Sequence, residues 1–208
     1  KPSNSQEILN STFKANVEIH VSATNTSLLS ADYCTMVSQE MREEIIDAGI
    51  IKKEIKMGVM GSQGENALEK AIYSAEEMRK KIKEAYKSIG EVINPLVLIQ
   101  AKNSNAKQLE SIELVLKNID KTYSNKKLAL WMDGKKVNTE DLESNNGYPE
   151  YLIFKQAIAT GWDCPRSHIL VQLRETGSKT FEIQVLGRIA RNPLLRKTEH
   201  EILNTGYV

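Results

Sequence analysis

The sequence predicts an α/β protein built on a doubly wound, mostly parallel sheet with helices on both faces. Two observations predict it. Residues 96–99, Leu-Val-Leu-Ile, form a continuous apolar run without the alternation of a half-exposed strand, as expected of a parallel strand buried on both faces. From Pro95 onward such runs alternate with stretches of helical periodicity, the order that strand–helix–strand units produce.

The elements follow in order. Val17-Glu18-Ile19-His20-Val21 alternates apolar and polar residues, as a half-buried strand does. Residues 32–47 are helix-like, with Gly49 as a C-cap, and residues 50–55 look like a strand. Residues 58–64 are a glycine-containing loop. Residues 65–87 form the clearest helix: Leu68, Ile72, Ala75, Met78 (or Arg79 beside it), Ile82 and Ala85 keep one stripe. Glu76 and Lys80, on its charged faces, are spaced to pair across one turn. Leu109, Ile112, Leu116 and Ile119 then mark a helix, and residues 128–132 a strand. Residues 133–149 read as a polar loop through Asn145-Asn146-Gly147. Residues 151–154 and 169–173 are two more short strands, a helix covers about 178–191, and residues 203–208 close the chain.

With 208 residues the chain is long enough for one core. Apolar residues at 40% and charged residues at 26% are ordinary for a soluble globular protein. The net charge of +1 gives no bulk steering of polyanions, so any phosphate contact must come from a local patch. Cys34 and Cys164 lie far apart, with no Cys-x-x-Cys spacing, which predicts reduced thiols in a cytoplasmic protein. No apolar run approaches the roughly 20 residues that cross a bilayer. Residues 1–10 are polar and unlike a signal peptide, so no membrane is expected as a partner.

Three segments carry candidate chemistry, all expected at the carboxyl ends of the strands, where doubly wound sheets bind ligands. In the last helix Gln184, Arg188 and Arg191 fall in a narrow arc, while Val185, Leu186 and Ile189 face the core. Two guanidiniums so spaced can reach one polyanion. Gly187 costs that helix about 1 kcal/mol relative to Ala, which suggests a close approach to its backbone. In the second segment Gly161 and Pro165 make a tight turn that places the Asp163 carboxylate at the carboxyl edge. Trp162 there reads as a core plug and Cys164 as a small buried hydrophobe. The third segment is Leu98-Ile99-Gln100, followed by Lys102. The histidines His20, His168 and His200 are isolated and are not expected to bind metal. Taken alone, the arginine arc also fits an ordinary solvated face and the Asp163 segment a plain turn.

Together these segments resemble superfamily 2 helicases and translocases. Gln184-x-x-Gly187-Arg188-x-x-Arg191 matches motif VI, and Gly161-Trp162-Asp163-Cys164-Pro165 looks like motif V. Leu98-Ile99-Gln100 is similar to motif IV and Ser22-Ala23-Thr24 to motif III, in the family's order. The wording is most like the restriction subunit of type III restriction-modification systems. That likeness lies in Phe154-Lys155-Gln156-Ala157-Ile158, the Trp162–Arg166 run and Gln184-Val185-Leu186-Gly187-Arg188-Ile189 with Pro193 beyond. One departure is Val185, where many relatives carry Arg.

The resemblance implies a RecA-like second lobe over residues 31–208, with the end of a first lobe and a linker over 1–30. It implies ATP between the lobes, with Arg188 and Arg191 reaching the γ-phosphate and one of them acting as an arginine finger. Gln184, Gly187, Gly161 and Asp163 would serve the nucleotide. Ser22, Thr24, Gln100, Lys155 and Arg166 would couple it to DNA, with Lys102 and Lys107 as further candidates for phosphate contact. The implied partners are double-stranded DNA, a separate modification (methyltransferase) subunit, an N-terminal RecA-like lobe and a C-terminal nuclease domain. ATP and Mg²⁺ belong to that whole protein. No Gly-x-x-x-x-Gly-Lys-Ser/Thr loop or Asp-Glu-x-His box occurs in the sequence, so the chain alone is expected to turn over negligible ATP. Two other readings stay open: another superfamily 2 motor, of repair or remodelling, and a doubly wound binding module without motor function.

Overall fold

The computed structural model describes residues 39–58, 66–102, 106–132, 134–155, 162–173 and 179–208. The predicted strand at 17–21, Ser22, Thr24, Cys34, Gly161 and the boundary near residue 30 lie outside them. All the described residues fall within a single compact unit.

Seven strands form one sheet in the order β1-β7-β6-β2-β5-β3-β4. They are β1 (Glu54–Lys56), β2 (Leu96–Gln100), β3 (Leu128–Met132), β4 (Lys135–Val137), β5 (Tyr151–Phe154), β6 (Ser167–Gln172) and β7 (Thr205–Tyr207). Every pairing is parallel except β3 with β4. Among the described residues four helices accompany them: α1 (Gln39–Asp47), α2 (Asn66–Ser88), α3 (Ala106–Ile119) and α4 (Lys179–Ile189). Among the described residues no helix is long and apolar enough to cross a membrane.

Alternation along the strands divides the core in two. Val97, Ile99, Tyr151, Ile153, Ile169 and Val171 pack with Ile72, Ile82 and Tyr86 of α2 and Ile112 and Leu116 of α3. Their neighbours Leu96, Leu98, Leu152, Phe154 and Leu170 pack on the opposite face with Val185 and Ile189 of α4, Trp162 and Cys164. Successive side chains of a strand point to opposite faces, so helices on both sides account for the unbroken apolar run of β2, whose five residues are all buried. The fold is therefore doubly wound, as the sequence predicts.

The structure departs from the sequence-based expectation at four places. The helix expected over about 178–191 ends at Ile189, so Arg191 lies past its end, paired with Ile51, rather than on the helix face. Of the predicted strand at 50–55 only Glu54 and Ile55 join the sheet, in a strand that runs on to Lys56, because Ile51 pairs antiparallel with Arg191 instead. The predicted loop at 133–149 contains β4, which pairs Met132 with Lys135; Gly134, at φ +74°, supplies the left-handed residue that so tight a hairpin needs. Glu76 is buried rather than solvated. Arg79 Nε and the Tyr151 hydroxyl each donate to its carboxylate at 2.6 Å, and Lys80 forms the expected ion pair with it across one turn at 3.7 Å. Arg79 also meets Glu150 at 3.2 Å, and Lys127 bridges Glu150 and Asp120, so this ionic cluster ties α2 to the starts of β3 and β5.

Candidate functional site

A parallel sheet requires every connection to return to the amino end before the next strand begins. Residues 162–166 lead into β6, and α4 runs back from the far end of β6 toward β7. Both segments therefore finish at the amino edge. Their contacts agree: the Leu96 N–H donates to the Arg166 carbonyl at 3.0 Å where β2 and β6 begin, and the exit of α4 pairs with residues 50–52, ahead of β1. The expectation that Asp163 lies at the carboxyl edge is thus corrected. It lies at the amino edge with Arg188 and Arg191.

There Asp163 and Arg191 form an ion pair. With the side chains 62% and 40% exposed, such a pair is worth about 0–1 kcal/mol and yields to a competing anion. Arg188 is only 7% exposed, and its guanidinium lies 6.0 Å from the centre of the Trp162 ring. Burial, and then the Arg191 charge beside it, push Arg188 below the usual guanidinium range, while Asp163 pulls the other way. An ordinary solvated face does not describe this arginine. Trp162 is more than a plug, since it meets both Arg188 and Trp131, the latter edge to face at 6.2 Å. Gln184 is half-buried one turn above Arg188. Gly187 is exposed, and among the described residues nothing would lie within 4 Å of a Cβ placed there. The close approach expected at Gly187 does not come from those residues.

The remaining candidates lie elsewhere. Gln100 ends the central strand, 1% exposed, and its Nε2 has no hydrogen-bond partner among the described residues. Lys102 and Lys107 are exposed at the same carboxyl edge, and Lys155, half-buried, follows β5 there. Arg166 does not join them. Fully buried at the amino edge, it donates through Nε to the Leu142 carbonyl at 2.9 Å and through Nη1 to those of Asn94 and Pro149 at 2.7 and 2.9 Å. It ties the loop after β4 to the starts of β2 and β5, so the DNA-contact reading of Arg166 is corrected. Cys164 behaves as a packed thiol: it donates to the Leu142 carbonyl at 3.0 Å, and burial raises its pKa. His168 is buried with Nε2 2.7 Å from the Tyr86 hydroxyl, and burial holds it well below the usual imidazole range. Among the described residues no group of three His, Cys, Asp or Glu is placed to hold a metal.

Sequence reasoning missed Lys52 altogether. It is 3% exposed, and its Nζ donates to the Ile189 carbonyl at 2.7 Å and to that of Arg191, with the Ser167 carbonyl at 3.5 Å. With no carboxylate among the groups that shift it, burial lowers its pKa to about 7. Lys-Lys within a strand-like run carries no signal of this, because the carbonyls it serves lie up to 139 residues away.

The arrangement offers one covered and one half-exposed guanidinium beside a carboxylate, suited to meeting a phosphate that approaches Arg191. No family model, curated protein or solved structure matches this chain.

Proposed function

We propose that the chain is the second, RecA-like lobe of a superfamily 2 motor, most like the restriction subunit of type III restriction enzymes. The observation that carries the reading is the meeting of Asp163 with Arg188 and Arg191. Two segments that match motifs V and VI separately converge on one edge of the sheet. The parallel, doubly wound sheet supports it, as do Lys102, Lys107 and Lys155 at the opposite edge, where the DNA backbone would run.

ATP and Mg²⁺ fit these residues only in part. Arginines and an aspartate suit the outer side of a triphosphate, but the sequence has no phosphate-cradling loop, which a first lobe would supply. When bound, ATP supplies the hydrolysable bond that drives translocation. Arg191, the more exposed guanidinium, offsets negative charge at the phosphate, and Arg188 stays oriented against Trp162. The loose Asp163–Arg191 pair releases Arg191 when a phosphate competes for it. Double-stranded DNA as the track, a methyltransferase subunit that reads sequence and a nuclease further along the chain complete the proposed assembly.

The test is DNA-stimulated ATP turnover by the motor with both lobes present. Arg188→Ala and Arg191→Ala are each expected to lower it about 10³-fold, the scale of an arginine finger, with the fold intact by circular dichroism. Unchanged turnover in both would favour a binding module, a reading that the burial of Arg188 also suits.

A further inference from the structure

Residues 47–52 form a strap across the exit of α4. Asp47 pairs with Lys197 at 2.8 Å. Gly49, at φ +74°, lies so close to Arg196 and Lys197 that a Cβ would run into their backbone. Beyond it the Asn192 N–H donates to the Ile50 carbonyl at 3.4 Å, Ile51 bridges Arg191, and the Lys52 N–H donates to the Ala190 carbonyl at 2.6 Å. The backbone of Arg191 is thus held on both sides. Lys52 then turns inward to the carbonyls of Ile189 and Arg191, at a helix end where carbonyls lack intrahelical partners and the helix dipole favours a cation.

We propose that Lys52 is a positioning residue for the Arg188–Arg191 surface: by anchoring the strap of residues 47–52 it sets where the end of α4 places the two guanidiniums. What those arginines do is taken from the motor reading; the strap itself is independent of it. Lysine suits the position because an ammonium has three protons and three carbonyls face it, those of Ile189, Arg191 and Ser167. α4 and its exit present backbone carbonyls, the segment ahead of β6 presents the Cys164 thiol, and β6 itself presents His168. Burial puts the proton of Lys52 at the edge of release, with a pKa of about 7, and Cys164 offsets this only in part. A neutral amine keeps two N–H donors for three carbonyls. The grip is therefore fullest below neutrality and slackens as pH rises, freeing the Arg191 backbone and, one turn back, the guanidinium over Trp162.

Tryptophan emission of the 208-residue chain, followed from pH 6 to 9, reads this directly. Trp131 and Trp162 are its two tryptophans, and Arg188 lies over the second. Wild type is expected to change with a midpoint near 7, and Lys52→Met to lose that change while keeping its far-ultraviolet circular dichroism. A flat wild-type titration, or an unaltered midpoint in Lys52→Met, overturns the proposal. Should the variant fail to fold, the wild-type titration alone decides. In the two-lobed motor, Lys52→Met is expected to lower kcat about 10²-fold, as a misplacement of roughly 1 Å does, with KM for ATP unchanged. The wild-type fall in kcat above neutrality should vanish in the variant, and a folded variant with wild-type kcat overturns the positioning role. If instead Arg188→Ala and Arg191→Ala leave turnover intact, the motor reading falls, and the emission titration still judges the strap.

Discussion

At the carboxyl edge of the sheet Lys102 and Lys107 stand in solvent, whereas at the amino edge Lys52, Arg166 and Arg188 are buried. The side-chain types are alike, and the surroundings reverse what they do. Water satisfies the exposed lysines, leaving their charge available to a passing polyanion. Backbone carbonyls at the end of α4 and at the starts of β2 and β5 take up the donors of Lys52 and Arg166. A buried polar group must be hydrogen-bonded, so these cations are committed to the fold before any ligand arrives. Arg191 is the exception at that edge: it keeps exposure and a replaceable partner. The difference teaches that charge at a sheet edge marks a binding surface only where the backbone has not already claimed it.

The largest expected effect sharpens that contrast. If the motor reading holds, a fall of about 10³-fold in turnover of the two-lobed protein for Arg191→Ala should accompany little change in melting temperature, since its ion pair is exposed. Arg166→Leu should do the reverse. Three carbonyls are left without their donors and the fold is expected to lose about 3 kcal/mol, read by urea denaturation. A loss under about 0.5 kcal/mol would break the claim that Arg166 is structural.

The protonation of Lys52 gives a third effect. Its folded pKa, about 7, lies below the ordinary lysine value of 10.5, so between those values the unfolded chain holds a proton that the folded one lacks. Stability therefore rises with pH across that window, by about 2 kcal/mol from pH 7 to 9, and the cost is fully present below 7. Lys52→Met should lack this slope. The local grip slackens while the whole gains stability, because releasing a buried charge outweighs one weakened hydrogen bond. His168 acts on the acid side. Held well below 6.5, it contributes stability that is lost as pH falls through 6.5, where the unfolded chain takes up the proton.

Gly187→Ala, with open space where its Cβ would sit, should stabilise α4 by about 1 kcal/mol. A matching fall in turnover of the two-lobed motor would reveal the close approach that the described residues do not supply. Smallest in stability are Lys102→Ala and Lys107→Ala, expected within about 0.5 kcal/mol. Their mark would be a shallower dependence of DNA affinity on salt, by about one unit of slope for each phosphate no longer neutralised.

The periodicities of α2, α3, β2, β3 and β5 were legible because each reports a local repeat: 3.6 residues for a helix face, or a short apolar run bounded by polar residues. β4 was overlooked although Asp133-Gly134 is a hairpin dipeptide; its Lys-rich edge strand has no apolar run to announce it. Glu76 sits three and four residues from Arg79 and Ile72, so it shares their buried face, yet its charge argued for solvent until Tyr151 and Arg79 came to meet it.

By itself the sequence determined the class of sheet, the two faces of its strands and the spacing of Gln184 and Arg188 along one helix, with Arg191 just past its end. Only the tertiary structure decided which edge holds Asp163 and the arginines, and which cations are spent on the backbone. The physical reason is that burial of Lys52 and Arg166 depends on carbonyls far along the chain, which chain direction through a parallel sheet brings together and no local pattern records.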